Sequence, residues 1–293
     1  MGPQRKPLAN VVKNIVRGEV NAAELNLNAL RVGLTHQAER GRIKGTSNVW
    51  TANLDAKKRE DAISTSFCFS EAAFALLALR DSTDPSFANL QSQTSSLTDQ
   101  MHLTLNYLCK DTVLDYIKSD SDHTNRGFFH AKTYLLCGML LENPEATQIG
   151  EALLAIGLAK QREDGVFPEG GGHDSSYQAV SLLKLAEIYM ITQRDDILGA
   201  FRRGLAWELG RITANGDVSD EGNTRCAKSP DTSSGIVRGF NKLIREHKPA
   251  KGMNYMEIAR ALTLCAIIFE DPTIQDVAQS VLNKSAENKG ERK

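Results

Sequence analysis

The sequence lacks both a marked charge imbalance and a long apolar run. Its 35 Lys and Arg residues are matched by 36 Asp and Glu residues, which gives a formal net charge of −1 at pH 7. A protein that binds nucleic acid normally carries a basic face or stripe. A membrane-spanning helix needs about 20 consecutive apolar residues. The composition therefore predicts neither a nucleic-acid partner nor a membrane partner.

Cysteine is scarce, and its spacing is irregular. The sequence has five cysteines, an odd number, placed mostly inside apolar helical stretches: Cys68, Cys109, Cys137, Cys226 and Cys265. A disulfide framework or a zinc site would need paired or closely spaced residues. No cluster of potential ligands has the spacing of a metal site, so we expect no metal and no cofactor. The cysteines are predicted to be small buried hydrophobic residues.

Strand-like alternation is nearly absent, and helical periodicity dominates the chain. Apolar helical stretches end repeatedly in short acidic turns, several of which contain proline: residues 79–85, 141–144, 191–196 and 269–272. This pattern predicts helical hairpins with short connections at one end. Together with the amino-terminal helices, it gives five or six hairpins. We predict an all-α fold, an α/α toroid formed as one domain by residues 1–293, with a charged, flexible tail at residues 284–293.

Longer polar connections are expected at the other end of the hairpins. They comprise residues 119–126, 164–174 and 214–234. Short turns on one side and long polar loops on the other describe a ring or arc of hairpins with one working face. The Asn215-Gly216 pair also occupies the position in its hairpin that Asp164-Gly165 occupies in the previous one. These two loops are therefore predicted to emerge on the same face.

The richest of these connections lies within residues 161–178, which read QREDGVFPEGGGHDSSYQ. Glycine and proline interrupt the helix here, and titratable side chains are dense. Loops of this kind on a helical scaffold commonly hold binding and catalytic residues. Asp174 or Ser175 is expected to cap the next helix. His173 and Tyr177 are four residues apart, so in a helical turn their side chains would lie on one side.

Other candidate residues lie in the remaining polar segments. The stretch HTNRGFFH, residues 123–130, would bring four residues towards the face that holds His173 and Tyr177: His123, Asn125, Arg126 and His130. Trp50, in a glycine-containing loop, could stack against a sugar or fill a gap in the core.

Two segments resemble a known family. DGVFPEGGGHDSSYQAVSLLKLAEI and NRGFFHAKTYLLCG are similar to the α/α toroid domains of polysaccharide lyases, in particular the alginate lyase and heparinase II/III-like groups. The resemblance implies that Asn125 neutralises the uronate carboxylate and that Tyr177 moves protons, with His173 near it. Arg126 stands where those families often have histidine.

The implied reaction is β-elimination on an acidic polysaccharide that contains uronic acid. Negative charge builds on the carboxyl group, so Asn or Arg donors would stabilise the transition state. A base must remove the C5 proton, and an acid must protonate the leaving oxygen. The predicted catalytic residues are Tyr177, His173 and Asn125. The predicted substrate-binding residues are Arg126, His130, Glu169, Arg225, Trp50 and Tyr255.

Two other functions remain open from the sequence. A glycoside hydrolase on the same scaffold would need two carboxylates facing each other, and its candidates are Asp164, Glu169, Asp174, Asp220 and Glu221. A non-catalytic carbohydrate-binding helical repeat would use the loops as a recognition rim. Localisation is also open, because two observations point in different directions. A polymer-degrading enzyme would be secreted, periplasmic or carried by a phage. The start of the sequence, MGPQRKPLANVV, shows no signal peptide.

Overall fold

A computed structural model of the chain describes residues 5–35, 59–121, 123–227 and 251–290. Within these ranges the chain forms twelve α-helices, one short 3-10 helix and two strands of two residues each. The predicted all-α class is therefore confirmed. None of the helices in these ranges combines the length and the apolar character that crossing a membrane requires.

The chain divides into two compact units. The first unit comprises Met1–Asp122 and Arg126–Ile156, and the second comprises His123–Asn125 and Gly157–Lys293. The division falls inside two helices, since α7 begins in the second unit and α8 ends there.

In the first unit, the long helix α3 (Arg59–Arg80) is buried on nearly all sides. The helices of this unit are α1 (Arg5–Val16), α2 (Val20–Thr35), α3 (Arg59–Arg80), the 3-10 helix (Pro85–Phe87), α4 (Ala88–Gln91), α5 (Thr94–Leu108), α6 (Asp111–Asp120), and most of α7 (Thr124–Leu140) and α8 (Pro144–Ala159). Helix α3 packs against α1, α5 and α6. Helices α7 and α8 approach closely, because a Cβ added at Gly150 would lie 2.5 Å from the Leu135 backbone nitrogen.

The second unit repeats the hairpin arrangement. Its elements are α9 (Ser175–Thr192), α10 (Asp195–Leu209), β1 (Cys226–Ala227), β2 (Lys251–Gly252), α11 (Tyr255–Phe269) and α12 (Pro272–Gly290). The two short strands pair in parallel. Helix α9 packs against α10 and α11, and α11 also packs against α12. Side chains of α9 are buried around nearly its whole circumference, whereas α10 and α12 each expose one side.

All four short turns predicted from the sequence are confirmed, since one helix ends in or immediately before each turn and the next helix begins within it. Three hairpins share one local geometry. Their first helix is followed by a non-glycine residue in the left-handed region: Glu142 (φ 50°), Gln193 (φ 51°) and Glu270 (φ 51°). A left-handed residue commonly ends a helix, and proline then starts α8 and α12, where its missing N–H costs nothing.

One predicted connection is much shorter than expected. Residues 119–126 were predicted as a long loop, but α6 ends at Asp120 and α7 begins at Thr124. Asn125, Arg126 and His130 are therefore helical. The polar residues form the first turn of α7, where backbone N–H groups have no partner within the helix. The buried apolar face of the helix resumes at Phe128 and Phe129.

Part of the predicted tail is also helical. Helix α12 continues to Gly290, and Lys284 forms a 3.0 Å ion pair with Glu287 one turn later. The predicted flexibility of residues 284–293 stays a prediction. The five cysteines are free thiols, four of them buried and Cys109 half-buried.

Candidate functional site

The connection between α8 and α9 begins with a tight turn at Asp164 and Gly165. The Arg162 backbone nitrogen donates to the Val166 oxygen (2.9 Å), and the Asp164 carboxylate accepts from the Val166 nitrogen (3.2 Å). Gly165 has φ +92°, and a Cβ there would lie 2.2 Å from the Arg203 oxygen of α10. Only glycine allows both the positive φ and this close approach.

The same turn recurs between α10 and α11. The Thr213 nitrogen donates to the Asp217 oxygen (2.9 Å), and the Asn215 side chain accepts from the Asp217 nitrogen (3.3 Å). Gly216 has φ +81°, and a Cβ there would lie 2.2 Å from the Ser280 backbone of α12. The predicted equivalence of the Asp164-Gly165 and Asn215-Gly216 pairs is therefore confirmed in geometry.

Asp174 caps α9, as the sequence predicted. Its backbone is extended (φ −160°, ψ 117°), and its carboxylate accepts from the Tyr177 nitrogen at 3.3 Å. His173 therefore precedes the helix, and its backbone pairs with Asn223 in an isolated bridge. The sequence placed His173 and Tyr177 on one side on the condition that the turn is helical, and this condition is not met, because α9 begins only at Ser175.

The loop that follows α10 and continues to β1, called the second loop, lies directly against the start of α9. The Thr224 nitrogen donates to the His173 oxygen (2.9 Å), and the Thr224 hydroxyl donates to the Glu169 oxygen (2.8 Å). The Asn223 side chain accepts from the Ser175 nitrogen at 3.2 Å. Backbone and side-chain hydrogen bonds thus fix the segment that carries Arg225.

Asp174 also binds this segment. One carboxylate oxygen accepts from the Arg225 nitrogen (2.9 Å) and from the Cys226 nitrogen (2.7 Å). The residue is only 1% exposed. Burial raises the pKa of the Asp174 carboxyl, and the hydrogen bonds from the three backbone N–H groups oppose the shift only in part. The net direction is upward.

Arg225 lies over the ring of Tyr177. The guanidinium carbon is 4.5 Å from the ring centroid, a cation–π geometry. The same guanidinium forms an ion pair with Glu169. Burial lowers the pKa of Arg225, but the neighbouring Tyr177 and Glu169 raise it, and the net direction is upward. The arginine therefore stays cationic beside a half-buried phenol.

His123 completes this group. Its Nδ1 atom lies 3.7 Å from the Glu169 carboxylate, with the imidazole 42% exposed and the carboxylate 1% exposed. The second carboxylate oxygen of Glu169 is buried and has no hydrogen-bond partner. The adjacent Thr124 hydroxyl donates to the Pro168 oxygen at 2.9 Å, which ties the start of α7 to the loop. Tyr177, Arg225, Glu169 and His123 are called the tyrosine cluster below.

Asn125 belongs to the same unit as the tyrosine cluster. Its side chain is 7% exposed, and its side-chain oxygen is buried without a hydrogen-bond partner. A buried acceptor without a donor is uncommon in proteins. The predicted role of Asn125 towards a carboxylate stays a prediction.

His173 is part of a different group of side chains. Its Nε2 atom lies 3.1 Å from the Glu221 oxygen, and its ring meets the Trp207 ring edge-on at 5.3 Å. The Arg211 guanidinium lies 4.8 Å from the centre of the same indole. Arg211 also donates to the Ser219 oxygen at 3.0 Å. These contacts give His173 a role in holding the second loop.

Tyr255, predicted to bind substrate, is 7% exposed. Its hydroxyl donates to the Asp217 carboxylate at 2.8 Å. The contact joins the first turn of α11 to the turn that contains Gly216. Trp50 lies outside the residues that the structure describes.

His130 and Arg126 lie in the first unit. His130 is fully buried, with Nδ1 2.8 Å from the Ser66 hydroxyl and Nε2 3.0 Å from the Asp120 carboxylate. Burial lowers the pKa of His130 more than Asp120 raises it. Because the ring has no exposed surface, this conformation gives a substrate nothing to contact at His130. Arg126, with a side chain 38% exposed, donates to the same Asp120 carboxylate at 2.6 Å.

Three of the five carboxylates proposed for a hydrolase have structural partners. Asp164 pairs with Arg162 at 2.7 Å within its own turn. Asp174 binds three backbone N–H groups, and Glu169 pairs with Arg225. Asp220 accepts from the Asn223 nitrogen through its backbone oxygen. The carboxylates of Asp164, Glu169 and Asp174 therefore hold loops in place.

Sequence reasoning missed two features of the site. Asp174 was expected to cap a helix, but its contact with the Arg225 segment joins residues 51 apart. His123 was predicted to face Tyr177, but its pairing with Glu169 was not predicted, and that pairing depends on the short α6–α7 connection. Neither contact has a signal in local periodicity.

Among the residues that the structure describes, no group of three or more His, Cys, Asp or Glu side chains is placed to hold a metal ion. No family model matches the chain, and comparisons with curated proteins and with solved structures likewise find no match.

Proposed function

We propose that the protein is a polysaccharide lyase that cleaves a uronic-acid-containing polysaccharide by β-elimination. The observation that supports this most directly is the tyrosine cluster. It joins a half-buried phenol, a guanidinium that lies over its ring, and a partly exposed imidazole, and one buried carboxylate contacts both the guanidinium and the imidazole. The guanidinium places a positive charge beside a hydroxyl of the type that exchanges protons in general acid–base catalysis.

The proposed reaction uses the cluster as follows. Tyr177 accepts the C5 proton of a uronate, and the C–H electron pair forms the C4–C5 double bond. The C4–O bond breaks, and the departing oxygen receives a proton from Tyr177. Arg225 stabilises the negative charge that builds on the uronate carboxyl group, with Asn125 proposed as a second donor.

We also propose that the hairpins close into an α/α toroid. Burial alternates along the chain in support of this arrangement. Helices α3, α7, α9 and α11 are buried on most sides, whereas α8, α10 and α12 expose one side. An inner layer of buried helices and an outer layer of amphipathic helices would produce this alternation.

The hydrolase receives less support from the site geometry. A pair of catalytic carboxylates must face each other across about 5–9.5 Å of open space. Glu169 and Asp174 are instead 2% and 1% exposed and engaged with the Arg225 segment. The non-catalytic binding module makes a separate prediction, namely binding without any product.

The test is a screen against alginate, heparin, pectate and hyaluronan with two detectors. A lyase produces an unsaturated sugar that absorbs in the ultraviolet, whereas a hydrolase produces only a new reducing end. We expect both signals on at least one substrate. Reducing ends without absorbance would refute the proposal in favour of a hydrolase, and binding without either signal would favour the module.

Tyr177→Phe tests the residue assignment on the substrate so identified. We expect kcat to fall about 10²–10⁴-fold, the usual contribution of a positioned acid or base. The matched control is Tyr134→Phe, which removes a buried hydroxyl bonded to the Leu108 oxygen at 2.7 Å. It should lower stability by about 0.5–1.5 kcal/mol and leave turnover unchanged. Normal turnover by Tyr177→Phe would exclude Tyr177 as the proton-transfer group.

A further inference from the structure

We propose that Asp174 is a positioning residue that holds the Arg225 guanidinium against the Tyr177 ring. The inference rests on the proposed function for its catalytic meaning. Asp174 itself is 1% exposed, so it acts through the backbone and not on the substrate.

The two oxygens of the Asp174 carboxylate have separate partners. One accepts from the Tyr177 nitrogen at 3.3 Å and caps α9. The other accepts from the Arg225 and Cys226 nitrogens at 2.9 and 2.7 Å. A single rigid group therefore sets the distance between the backbone of Tyr177 and the backbone of Arg225.

Arg225 is held at both ends. Asp174 holds its backbone nitrogen, and Glu169 pairs with its guanidinium. Thr224, one residue earlier, bonds to the Glu169 and His173 backbone oxygens. With both ends held, the guanidinium lies 4.5 Å from the Tyr177 ring centroid.

Helix capping alone does not account for a carboxylate at this position. Serine, threonine or asparagine caps a helix about as well as aspartate, and each needs only one oxygen for the purpose. The second oxygen of Asp174 instead serves two N–H groups of a distant loop. Burying a charged carboxylate is unfavourable, and the two added hydrogen bonds offset that cost.

Asp174→Asn separates the two tasks. The amide oxygen can still accept from the Tyr177 nitrogen, but its NH2 group then faces the Arg225 and Cys226 N–H groups, and two donors repel. Asp174→Ser is the second variant, since serine caps well but its single oxygen cannot serve both segments. Asn143→Ala is the matched control, because Asn143 caps α8 through the Ala146 nitrogen (2.9 Å) in the other unit.

The first readout is the NMR spectrum of the Arg225 side chain in the full-length protein. Protons over an aromatic face are shifted upfield, and Tyr177→Leu supplies the unshifted reference. We expect both Asp174 variants to move the Arg225 signals towards that reference, whereas Asn143→Ala leaves them in place and lowers only the Tm. Unchanged Arg225 signals in a folded Asp174→Asn protein would overturn the proposal.

The second readout is a double-mutant cycle on kcat/KM. We expect Asp174→Asn to lower kcat/KM about 10²-fold, the scale of a small misplacement of a reacting group. In an Arg225→Ala background the same change should have little further effect. Equal losses in both backgrounds would show that Asp174 does not act through Arg225. If no uronate polymer is cleaved, the proposed function fails, and the NMR result still decides whether Asp174 positions Arg225.

Discussion

Glu208 of α10 should make stability depend on pH in an unusual direction. Its carboxyl group is completely buried, and neither oxygen has a hydrogen-bond partner. Burial raises the pKa of Glu208 well above 4.5; Arg211 opposes this shift and Asp174 adds to it. The folded protein therefore holds the proton of Glu208 to higher pH than the unfolded chain does.

The sign follows from proton linkage. Between pH 4.5 and the folded-state pKa, unfolding releases the Glu208 proton, so rising pH favours the unfolded chain. The contribution of Glu208 to stability is complete below pH 4.5 and is lost as pH rises through that window. Its slope is at most about 1.4 kcal/mol per pH unit for one proton.

Glu208→Gln removes this titration while keeping the shape of the side chain. The amide adds buried donors that cost about 1–3 kcal/mol at every pH, so the diagnostic quantity is a slope. We expect the free energy of unfolding of the variant, minus that of the wild type, to increase as pH rises above 4.5. Glu208→Leu should show the same slope with a different offset, since it adds no donors.

The assay is urea unfolding followed by tryptophan fluorescence. The sequence has two tryptophans, Trp50 and Trp207, so a Trp50→Phe background reports from the residue next to Glu208. Measurements at pH 4 to 8 give the difference for both variants. A difference that stays flat across this range would show that Glu208 ionises equally in the folded and unfolded chains, and the argument from burial would be refuted.

Two further predictions concern stability. Gly165→Ala should destabilise the fold by more than about 2 kcal/mol, because the added Cβ would overlap the Arg203 oxygen. The control is Gly171→Ala, also at positive φ but with nothing within 4 Å of the added Cβ, which should cost only about 1–2 kcal/mol. Equal costs in urea unfolding would contradict the role of the close approach. Lys132→Met should cost about 3–5 kcal/mol of stability, because it removes the cation that lies 3.2 Å from Glu71 in a buried pair. Adding Glu71→Gln should recover part of the loss. A thermal-unfolding series in which the double variant is no more stable than the single one would refute this.

The hairpins were predictable because their signals are local. Proline at the first position of a helix, as in Pro144 and Pro272, fixes the start of that helix without any tertiary information. The glycines at Gly165 and Gly216 likewise mark turns that tolerate no side chain. These features depend on a few neighbouring residues, so the sequence carries them directly.

The α6–α7 connection shows where local signals fail. The stretch HTNR is polar and was predicted as a loop, but three of its residues open a helix. Polar residues suit the first turn of a helix as well as a loop, because both leave backbone groups to be satisfied. Only the packing of Phe128 and the residues after it decides between the two.

The candidate site shows a second reason why the sequence does not predict every contact. Tyr177 and Arg225 are 48 positions apart, and no sequence period predicts their contact. His173 is close to Tyr177 in sequence, but its ring lies beside Trp207. The reason is that Asp174 is extended and α9 begins after it, so His173 and Tyr177 do not share a helical turn. Closeness in sequence was therefore a poor guide to which residues share the site.

The contact between Arg225 and Tyr177 has its origin in the repeated turn. Gly165 abuts α10 and Gly216 abuts α12, so each loop is fixed to the second helix of the next hairpin by the same geometry. Loops that leave equivalent turns of neighbouring hairpins run side by side, which brings the second loop to the start of α9. The hydrogen bonds from Asp174 then select the one register in which Arg225 covers Tyr177. A change in the length of either loop would alter that register and separate the two side chains, even with both residues retained.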